Sequence, residues 1–115
     1  MATPAKGWDD TLVVMDADEK KRYTENLFPV FAFSSQAKGF FEKYNEGLLS
    51  AKAKERYLCE ESVKTYVRIK EEAGKNGDTL SYTALRLLCE ESSFDVFPII
   101  GPSNLNQLKD TLNIR

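Results

Sequence analysis

Apolar residues in this chain follow two patterns: short uninterrupted runs, and longer stretches in which they recur every three or four positions. The two short runs cover residues 30–33 and 96–100. A run without alternation is typical of a parallel strand that is buried on both faces. We therefore expect two parallel strands. Pro98 is unusual inside the second run, because proline cannot donate to the ladder of a central strand.

The longer stretches predict helices. They cover residues 17–26, 62–75, 80–91 and a segment that begins near 103 or 104. Asp16 and Glu19 have the spacing of a capping box in front of the first of these helices. The segment 42–61 is predicted to be a long polar connection, and long loops in compact domains are usually functional or mobile.

The buried faces of the last two helices follow from the same periodicity. The helix over 80–91 is expected to bury Ala84, Leu85, Leu87 and Leu88. The last helix presents its leucines along one stripe, which is the face that an amphipathic helix packs against a core. These leucines are Leu105, Leu108 and Leu112.

Composition excludes several functional classes. The 115 residues are 42% hydrophobic and 30% charged, with a net charge of −2, and the basic residues do not cluster as a nucleic-acid surface requires. No apolar stretch reaches the ~18 residues of a membrane span, so a cytoplasmic protein is expected. Cys59 and Cys89 lack CxxC spacing and a histidine partner, so we expect free thiols rather than zinc ligands. Cys89 is predicted to be buried and Cys59 partly exposed.

The segments that follow the two strands resemble a known family. They read FSSQAKG at 33–39 and PIIGPS at 98–103, with QL at 107–108. They are similar to the last two strand-and-loop units of the aldo-keto reductases, which are (β/α)8 barrels. The resemblance implies an α/β chain that is the C-terminal fragment of a TIM barrel, incomplete on its own, because a barrel needs roughly 250 residues and eight strands. Residues 1–115 then form one part of an NAD(P)-dependent oxidoreductase domain, with no second domain.

The resemblance also implies a cofactor site at the first of these loops. In the family an aromatic ring at the position of Phe33 packs against the nicotinamide, and the following loop binds the pyrophosphate. Ser34, Gln36 and Lys38 are the candidate residues of that loop, since a hydroxyl and an ammonium group both suit a phosphate. From the residues alone, a phenylalanine at a strand end such as Phe33 is more often part of the core, and a polar loop after a strand is usually a solvated turn.

The second loop is implied to hold the adenosine end of the cofactor. Gly101, Ser103, Asn104 and Gln107 lie at the start of the last helix, where free amides and the helix dipole favour an anion. The family pattern has arginine where this chain has Ser103, which offers a hydroxyl but no charge. The family uses this turn for the adenosine 2′-phosphate, so the resemblance implies NADP as the cofactor, and the missing arginine weakens that assignment and leaves NAD possible. A capped amphipathic helix would explain the same residues.

No catalytic residue is expected in this chain. The family relies on an Asp, a Tyr, a Lys and usually a His from the early strands, whereas this sequence contains no histidine. The stretch DTLSY at 78–82 is one residue shorter than the family's Asp-Thr-x-x-x-Tyr, and we interpret it as a helix start with Thr79 as the N-cap. The tetrad is expected upstream of Met1, so the chain alone is predicted to be inactive.

The predicted function is thus the C-terminal part of an enzyme that reduces aldehydes or ketones with NAD(P)H, its substrate unspecified. The expected partners are the nicotinamide dinucleotide, a carbonyl substrate if the full barrel exists, and the missing N-terminal portion or further copies of the chain. Neither nucleic acid nor membrane is expected. The alternative is a small non-catalytic α/β module or relic that pairs with a partner chain, because two parallel strands leave open edges.

Overall fold

The computed structural model describes residues 15–33 and 39–114, which form six helices and one parallel sheet of two strands. The α/β class is as predicted, although helices predominate. The elements in chain order are α1 (Ala17–Asn26), β1 (Val30–Ala32), α2 (Phe40–Glu46), α3 (Ala51–Tyr57), α4 (Glu60–Asn76), α5 (Leu80–Glu91), β2 (Val96–Pro98) and α6 (Leu105–Thr111).

The two predicted strands are present, and they pair with each other in parallel. Val30 lies opposite Val96, and Ala32 lies opposite Pro98. The Val30 amide donates to the Asp95 carbonyl, and the Ile99 amide donates to the Ala32 carbonyl, each at 2.8 Å. Alternate residues of a strand turn their main-chain groups to opposite sides, so the nitrogen of Pro98 faces away from β1. Pro98 therefore removes no hydrogen bond from this ladder.

Local capping fixes the ends of several helices. The Asp16 carboxylate accepts from the Glu19 amide at 2.9 Å. The Thr79 hydroxyl accepts from the Tyr82 amide at 3.2 Å. Both helices, α1 and α5, span the predicted residues, because side-chain oxygens at these positions satisfy first-turn amides. The capping box at α1 is only half formed, since the Glu19 carboxylate instead accepts from the Arg22 guanidinium at 2.8 Å.

The prediction of a long polar connection over 42–61 is wrong. That segment contains most of α2 and all of α3. Phe40 and Phe41 at the start of α2 and Tyr57 at the end of α3 are buried, at 1%, 3% and 3% exposure. A few aromatic anchors hold these short helices, so the polar residues between them form their solvent-facing sides. The Ser50 hydroxyl caps α3 by accepting from the Ala53 amide at 3.1 Å.

Two separate clusters make up the core. The larger one joins the crossover helices α2 to α5, and its buried members are Phe40, Phe41, Tyr57, Tyr66, Ile69 and Ala84. The smaller one lies beneath one face of the sheet. There Ala32 packs with Met15 and Phe94, and Val30 and Val96 are partly buried against them. One face of the sheet is therefore covered.

Several burial predictions are wrong. Leu105 and Leu112 of the predicted stripe on α6 are 64% and 49% exposed, and Thr111 is the buried residue of that helix. The reason is that none of residues 15–33 and 39–114 packs over the leucine stripe of α6 closely enough to bury Leu105 and Leu112. Cys89, expected inside, is exposed in the last turn of α5. Leu85, Leu87 and Leu88 are only partly buried, while Ala84 is buried as predicted.

Within residues 15–33 and 39–114, none of the helices combines the length and the apolar character that crossing a membrane would require.

Candidate functional site

The parallel register brings the ends of the two strands that precede the candidate loops to one edge of the sheet. Ala32 ends β1 and lies opposite Pro98, which ends β2. Phe33 and Ile99 follow these residues at the carboxyl ends of the strands. Ligands of α/β sheets bind in the crevice outside the carboxyl ends. Three of the predicted pyrophosphate contacts, Ser34, Gln36 and Lys38, lie outside the described residues.

Phe33 belongs to a row of apolar side chains on the face of the sheet that the helices leave uncovered. We call Phe31, Phe33, Phe97 and Ile99 the open sheet face. The rings of Phe31 and Phe97 stack across the two strands, with centroids 5.2 Å apart. Phe33 is 39% exposed at the carboxyl end of this face. Its ring is accessible there, so it can pack against a flat ligand or against further protein.

The first turn of α6 gathers three of the four candidate residues of the second loop. The Asn104 side chain accepts from the Gln107 amide at 2.9 Å. The Gln107 side chain in turn reaches back and accepts from the Ser103 amide at 2.7 Å. Two amides that an anion would use are thus bound by neutral side-chain oxygens. A phosphate oxygen carries charge and is a stronger acceptor, so it can replace them.

Gly101 joins β2 to this turn and is exposed. A Cβ added at Gly101 meets no atom within 4 Å, so the protein itself does not require glycine there. Gly39, at the end of the first loop, differs: its φ of +80° is a left-handed conformation that glycine adopts most easily. It is the N-cap of α2.

A hydrogen-bond network that the sequence did not reveal holds α6 in place. The Thr79 amide donates to the Asn113 side-chain oxygen at 3.1 Å. The Asn113 side-chain amide donates to the Asp78 carboxylate at 2.9 Å. The Thr79 hydroxyl also donates to the Asp110 carbonyl. This network joins the end of α6 to the start of α5, so it fixes the direction in which the first turn of α6 points.

Hydrogen bonds at the start of α5 show the role of the DTLSY stretch at 78–82. Thr79 is the N-cap of α5, and the amide and hydroxyl of Ser81 both donate to the Glu42 carboxylate, at 3.1 and 3.0 Å. Tyr82 lies in the first turn of α5 and is partly exposed. The interpretation of this stretch as a helix start is confirmed.

The perturbed ionisable groups lie away from the carboxyl ends of the strands. Burial, followed by the hydrogen bond to the Glu19 carboxylate, raises the pKa of Tyr23. Partial desolvation of the thiol by neighbouring atoms, followed by the Glu90 carboxylate, raises the pKa of Cys89, although the residue as a whole is exposed. Cys89 borders an open depression of about 430 Å³ beside Ser92 and Asp95, at the amino end of β2. This depression is at the opposite end of the strand from the candidate loops.

Metal-binding clusters are absent from residues 15–33 and 39–114: no group of three His, Cys, Asp or Glu side chains could hold an ion. Both cysteines are free, and Cys59 is partly exposed at the N-cap of α4, as predicted. A scan against protein-family models finds no match, and searches of the curated proteins and of the solved structures find none either. The resemblance to aldo-keto reductases therefore rests on the loop patterns and on their order along the chain.

Proposed function

We propose that this chain is the C-terminal portion of an aldo-keto reductase, an NAD(P)H-dependent enzyme that reduces aldehydes or ketones. In this proposal it supplies dinucleotide-binding loops to a β/α barrel and contributes no catalytic residue. The observation that supports the proposal is the parallel pairing of β1 with β2, because the two strands that precede the resembling segments end next to each other. That is where barrels bind phosphate groups, in the loops after strands seven and eight.

The coverage of the sheet supports the same proposal. Ala32 faces the helices and is 2% exposed, whereas Phe31 on the opposite face is 67% exposed. In a (β/α)8 barrel the helices cover the outer face of the strands, and apolar side chains of the inner face fill the interior. The open sheet face is apolar, as such an interior is, although three of its four side chains are aromatic.

The division of roles follows from the residues at the carboxyl ends. Phe33 packs against the nicotinamide, and Ser34, Gln36 and Lys38 contact the pyrophosphate. The turn with Gly101, Ser103, Asn104 and Gln107 holds the adenosine end of the cofactor. There a phosphate oxygen replaces the side-chain oxygens of Gln107 and Asn104 as the acceptor for the main-chain amides of Ser103 and Gln107.

NADP is the proposed cofactor, with NAD possible, and the cytoplasm is the proposed location. Protonation of the developing alkoxide falls to groups on the rest of the barrel.

The second candidate is a non-catalytic module that pairs with a partner chain through its strands. The open sheet face favours it, since exposed apolar patches of this kind mark interaction sites. The two candidates differ in whether the assembled protein binds a nicotinamide dinucleotide.

A charge placed at Ser103 tests the proposed site directly. The test uses a full barrel, reconstituted from this chain and the first two thirds of an aldo-keto reductase. If Ser103 lies beside the 2′-phosphate, Ser103→Arg adds a charge-assisted hydrogen bond worth about 1.5–3 kcal/mol. We expect NADPH to bind roughly tenfold to a hundredfold more tightly. NADH has no phosphate at that position and should change little.

Protein fluorescence titrated with each cofactor gives the two dissociation constants. Val67→Arg is the matched control, because Val67 is a 47% exposed residue of α4 and the substitution changes the net charge equally. Equal shifts for NADPH and NADH, or the same shift in the control, would show that this turn does not hold the phosphate.

A further inference from the structure

We infer that the first turn of α5 is a shared anchor that fixes α2 and α6 relative to each other, and that Glu42 and Asn113 are the positioning residues that attach the two helices to it. α2 and α6 follow the two candidate loops, so the anchor sets the separation of the loop ends. This inference rests on the proposed function, which supplies the ligand that spans the two loops.

α2 is attached to the first turn of α5 by one carboxylate. The Glu42 carboxylate accepts from the Ser81 amide at 3.1 Å and from the Ser81 hydroxyl at 3.0 Å. Glu42 lies in the first turn of α2, three residues after Gly39, which ends the first candidate loop. Phe40 and Phe41 of the same turn are buried in the larger core cluster. The start of α2 is therefore held directly against the start of α5.

α6 is attached to the same turn of α5 from the other side. The Asn113 side-chain oxygen accepts from the Thr79 amide at 3.1 Å, and the Asn113 side-chain amide donates to the Asp78 carboxylate at 2.9 Å. Asn113 has a φ of 56°, a left-handed conformation that asparagine adopts more readily than most residues. Within α6, which the structure describes in full, only Thr111 is buried. Hydrogen bonds therefore carry much of the attachment.

The reason that both helices attach at this turn is a general property of helix ends. The first amides of a helix have no acceptor within the helix, so other groups must supply one. At α5 the Thr79 amide donates to Asn113, the Ser81 amide to Glu42, and the Tyr82 amide to the Thr79 hydroxyl. Breaking either attachment leaves a partly buried amide without its acceptor, which destabilises that side of the turn.

The other end of α5 is fixed to the sheet. The thiol of Cys89, in the last turn of α5, lies 3.9 Å from the Val96 carbonyl oxygen at the amino end of β2. The rise of an α-helix places Thr79 roughly 15 Å from Cys89 along the helix. α5 therefore joins the sheet at one end to α2 and α6 at the other.

A ligand that contacts both loops gains affinity from a fixed separation of the loop ends. Its second contact forms at an effective concentration that this separation sets, so a looser attachment of either helix weakens a spanning ligand. A ligand confined to one loop does not depend on the separation. NADPH is the spanning ligand of the proposed function, whereas adenosine 2′-phosphate carries the adenosine end without the pyrophosphate or the nicotinamide.

Distance distributions between two spin labels test the anchor on the chain alone. The labels are attached at two exposed positions, through Glu46→Cys in α2 and Lys109→Cys in α6. The background carries Cys59→Ser and Cys89→Ser, and the labelled chain is diluted with excess unlabelled chain so that only distances within one molecule are measured. We expect a single narrow distribution for this reference chain.

Two variants of the reference chain each remove one attachment. Glu42→Ala removes both acceptor contacts of α2, and Asn113→Gly removes both side-chain bonds of α6 while tolerating the left-handed backbone. Each variant should broaden the distribution. Ser50→Ala is the matched control, because it removes a helix-capping bond of α3 that involves neither α2 nor α6, and it should leave the width unchanged.

Conservative variants separate the loss of these bonds from general damage. Glu42→Gln keeps an acceptor oxygen for Ser81, and the pair Asp78→Asn with Asn113→Asp exchanges donor and acceptor. Both should return the distribution toward that of the reference chain. If Glu42→Ala or Asn113→Gly fails to fold by circular dichroism, Ser81→Ala or Asp78→Ala replaces it, since each removes only one bond. An unchanged width in the folded variants, or an equal broadening by Ser50→Ala, overturns the inference.

Cofactor titration tests the consequence in a barrel reassembled from this chain and the first six β/α units of an aldo-keto reductase. Glu42→Ala should weaken NADPH binding about tenfold. It should change the binding of adenosine 2′-phosphate, measured by competition with NADPH, by less than about twofold, because that ligand does not span the loops. Equal weakening of both ligands, or no weakening of either, contradicts the role of the anchor.

The two experiments separate the anchor from the proposed function. Helices that loosen as expected in a chain whose reassembled barrel binds no NADPH uphold the anchor and refute the proposed function. A reassembled barrel that binds NADPH, together with a label distance that no variant changes, refutes the anchor alone.

Discussion

Replacing Phe31 by alanine should lower the stability of the chain and also reduce its self-association. The ring is 67% exposed, so about a third of it is buried, which contributes about 0.5–1 kcal/mol. The stack on Phe97 adds about 0.5–1.5 kcal/mol. We therefore expect Phe31→Ala to lower the free energy of unfolding by about 1–2.5 kcal/mol.

The effect on association should have the opposite sign. The exposed part of the Phe31 ring is ~130 Å² of apolar surface, worth up to ~3 kcal/mol when it is covered by another molecule. We expect the unaltered chain to self-associate through the open sheet face, and Phe31→Ala to need about tenfold more protein for the same association. Light scattering over a range of protein concentrations measures this, and urea unfolding measures stability.

Phe40→Ala is the matched control because the same ring is removed from a closed site. Phe40 is 1% exposed in the larger core cluster, so its loss should cost about 3–5 kcal/mol and increase association. If Phe31→Ala also increased association, the aggregation would follow lost stability rather than the open sheet face. A monodisperse, monomeric unaltered chain with cooperative unfolding would contradict the fragment proposal itself.

Two further predictions concern the backbone and a thiol. Gly74→Ala should stabilise the chain by about 0.5–1 kcal/mol, because Gly74 is a helical residue of α4 around which an added Cβ meets nothing within 4 Å. Gly39→Ala should destabilise the chain by about 1–2 kcal/mol, because the φ of +80° at Gly39 is a left-handed conformation. Chemical unfolding compares the two variants, and changes in unfolding free energy of the same sign would contradict the backbone argument. Alkylation of Cys89 should require a higher pH than alkylation of free cysteine, because its raised pKa lowers the thiolate fraction. The stability that the protonated Cys89 thiol contributes is present below the unfolded-state pKa and is lost as pH rises through the folded-state pKa. A Cys59→Ser variant isolates the alkylation of Cys89, and a pH profile of alkylation at or below that of free cysteine would refute the raised pKa.

Features that depend on a few neighbouring residues could be predicted from the sequence. The boundaries of α1 and α5 follow from Asp16 and Thr79, whose side chains cap amides three residues away. The two strands and their parallel pairing follow from unbroken apolar runs, although only one face of the sheet is buried and Phe31 on the other face is 67% exposed. Local capping and local hydrophobicity thus account for much of the fold.

Features that depend on distant contacts could not be predicted. α2 and α3 are short helices held by Phe40 and Tyr57 in a cluster with α4 and α5, and their own sequences are mostly polar. Asn113 joins α6 to Thr79 and Asp78, which lie 34 and 35 positions earlier in the chain. No local sequence pattern marks such a contact. The stripe on α6 has the expected period but lies exposed, because periodicity identifies a face and not what covers it.

The roles assigned to the candidate site residues stay predictions, and the geometry bears only on where the two strands end. The sequence placed Phe33 and the Ser103 turn after two parallel strands, and the structure brings these strand ends together. It did not anticipate that Asn104 and Gln107 would hydrogen-bond within that turn.

Carbonyl reductase activity of the reassembled barrel tests the central claim most directly. The measurement is NADPH oxidation with a generic aldehyde by this chain, by the complementary six β/α units, and by their complex. The account predicts no activity above the blank for either piece alone and activity for the complex, lost when the catalytic tyrosine of the complementary piece is replaced by phenylalanine. Activity of this chain alone, or an assembled complex that remains inactive, would contradict it.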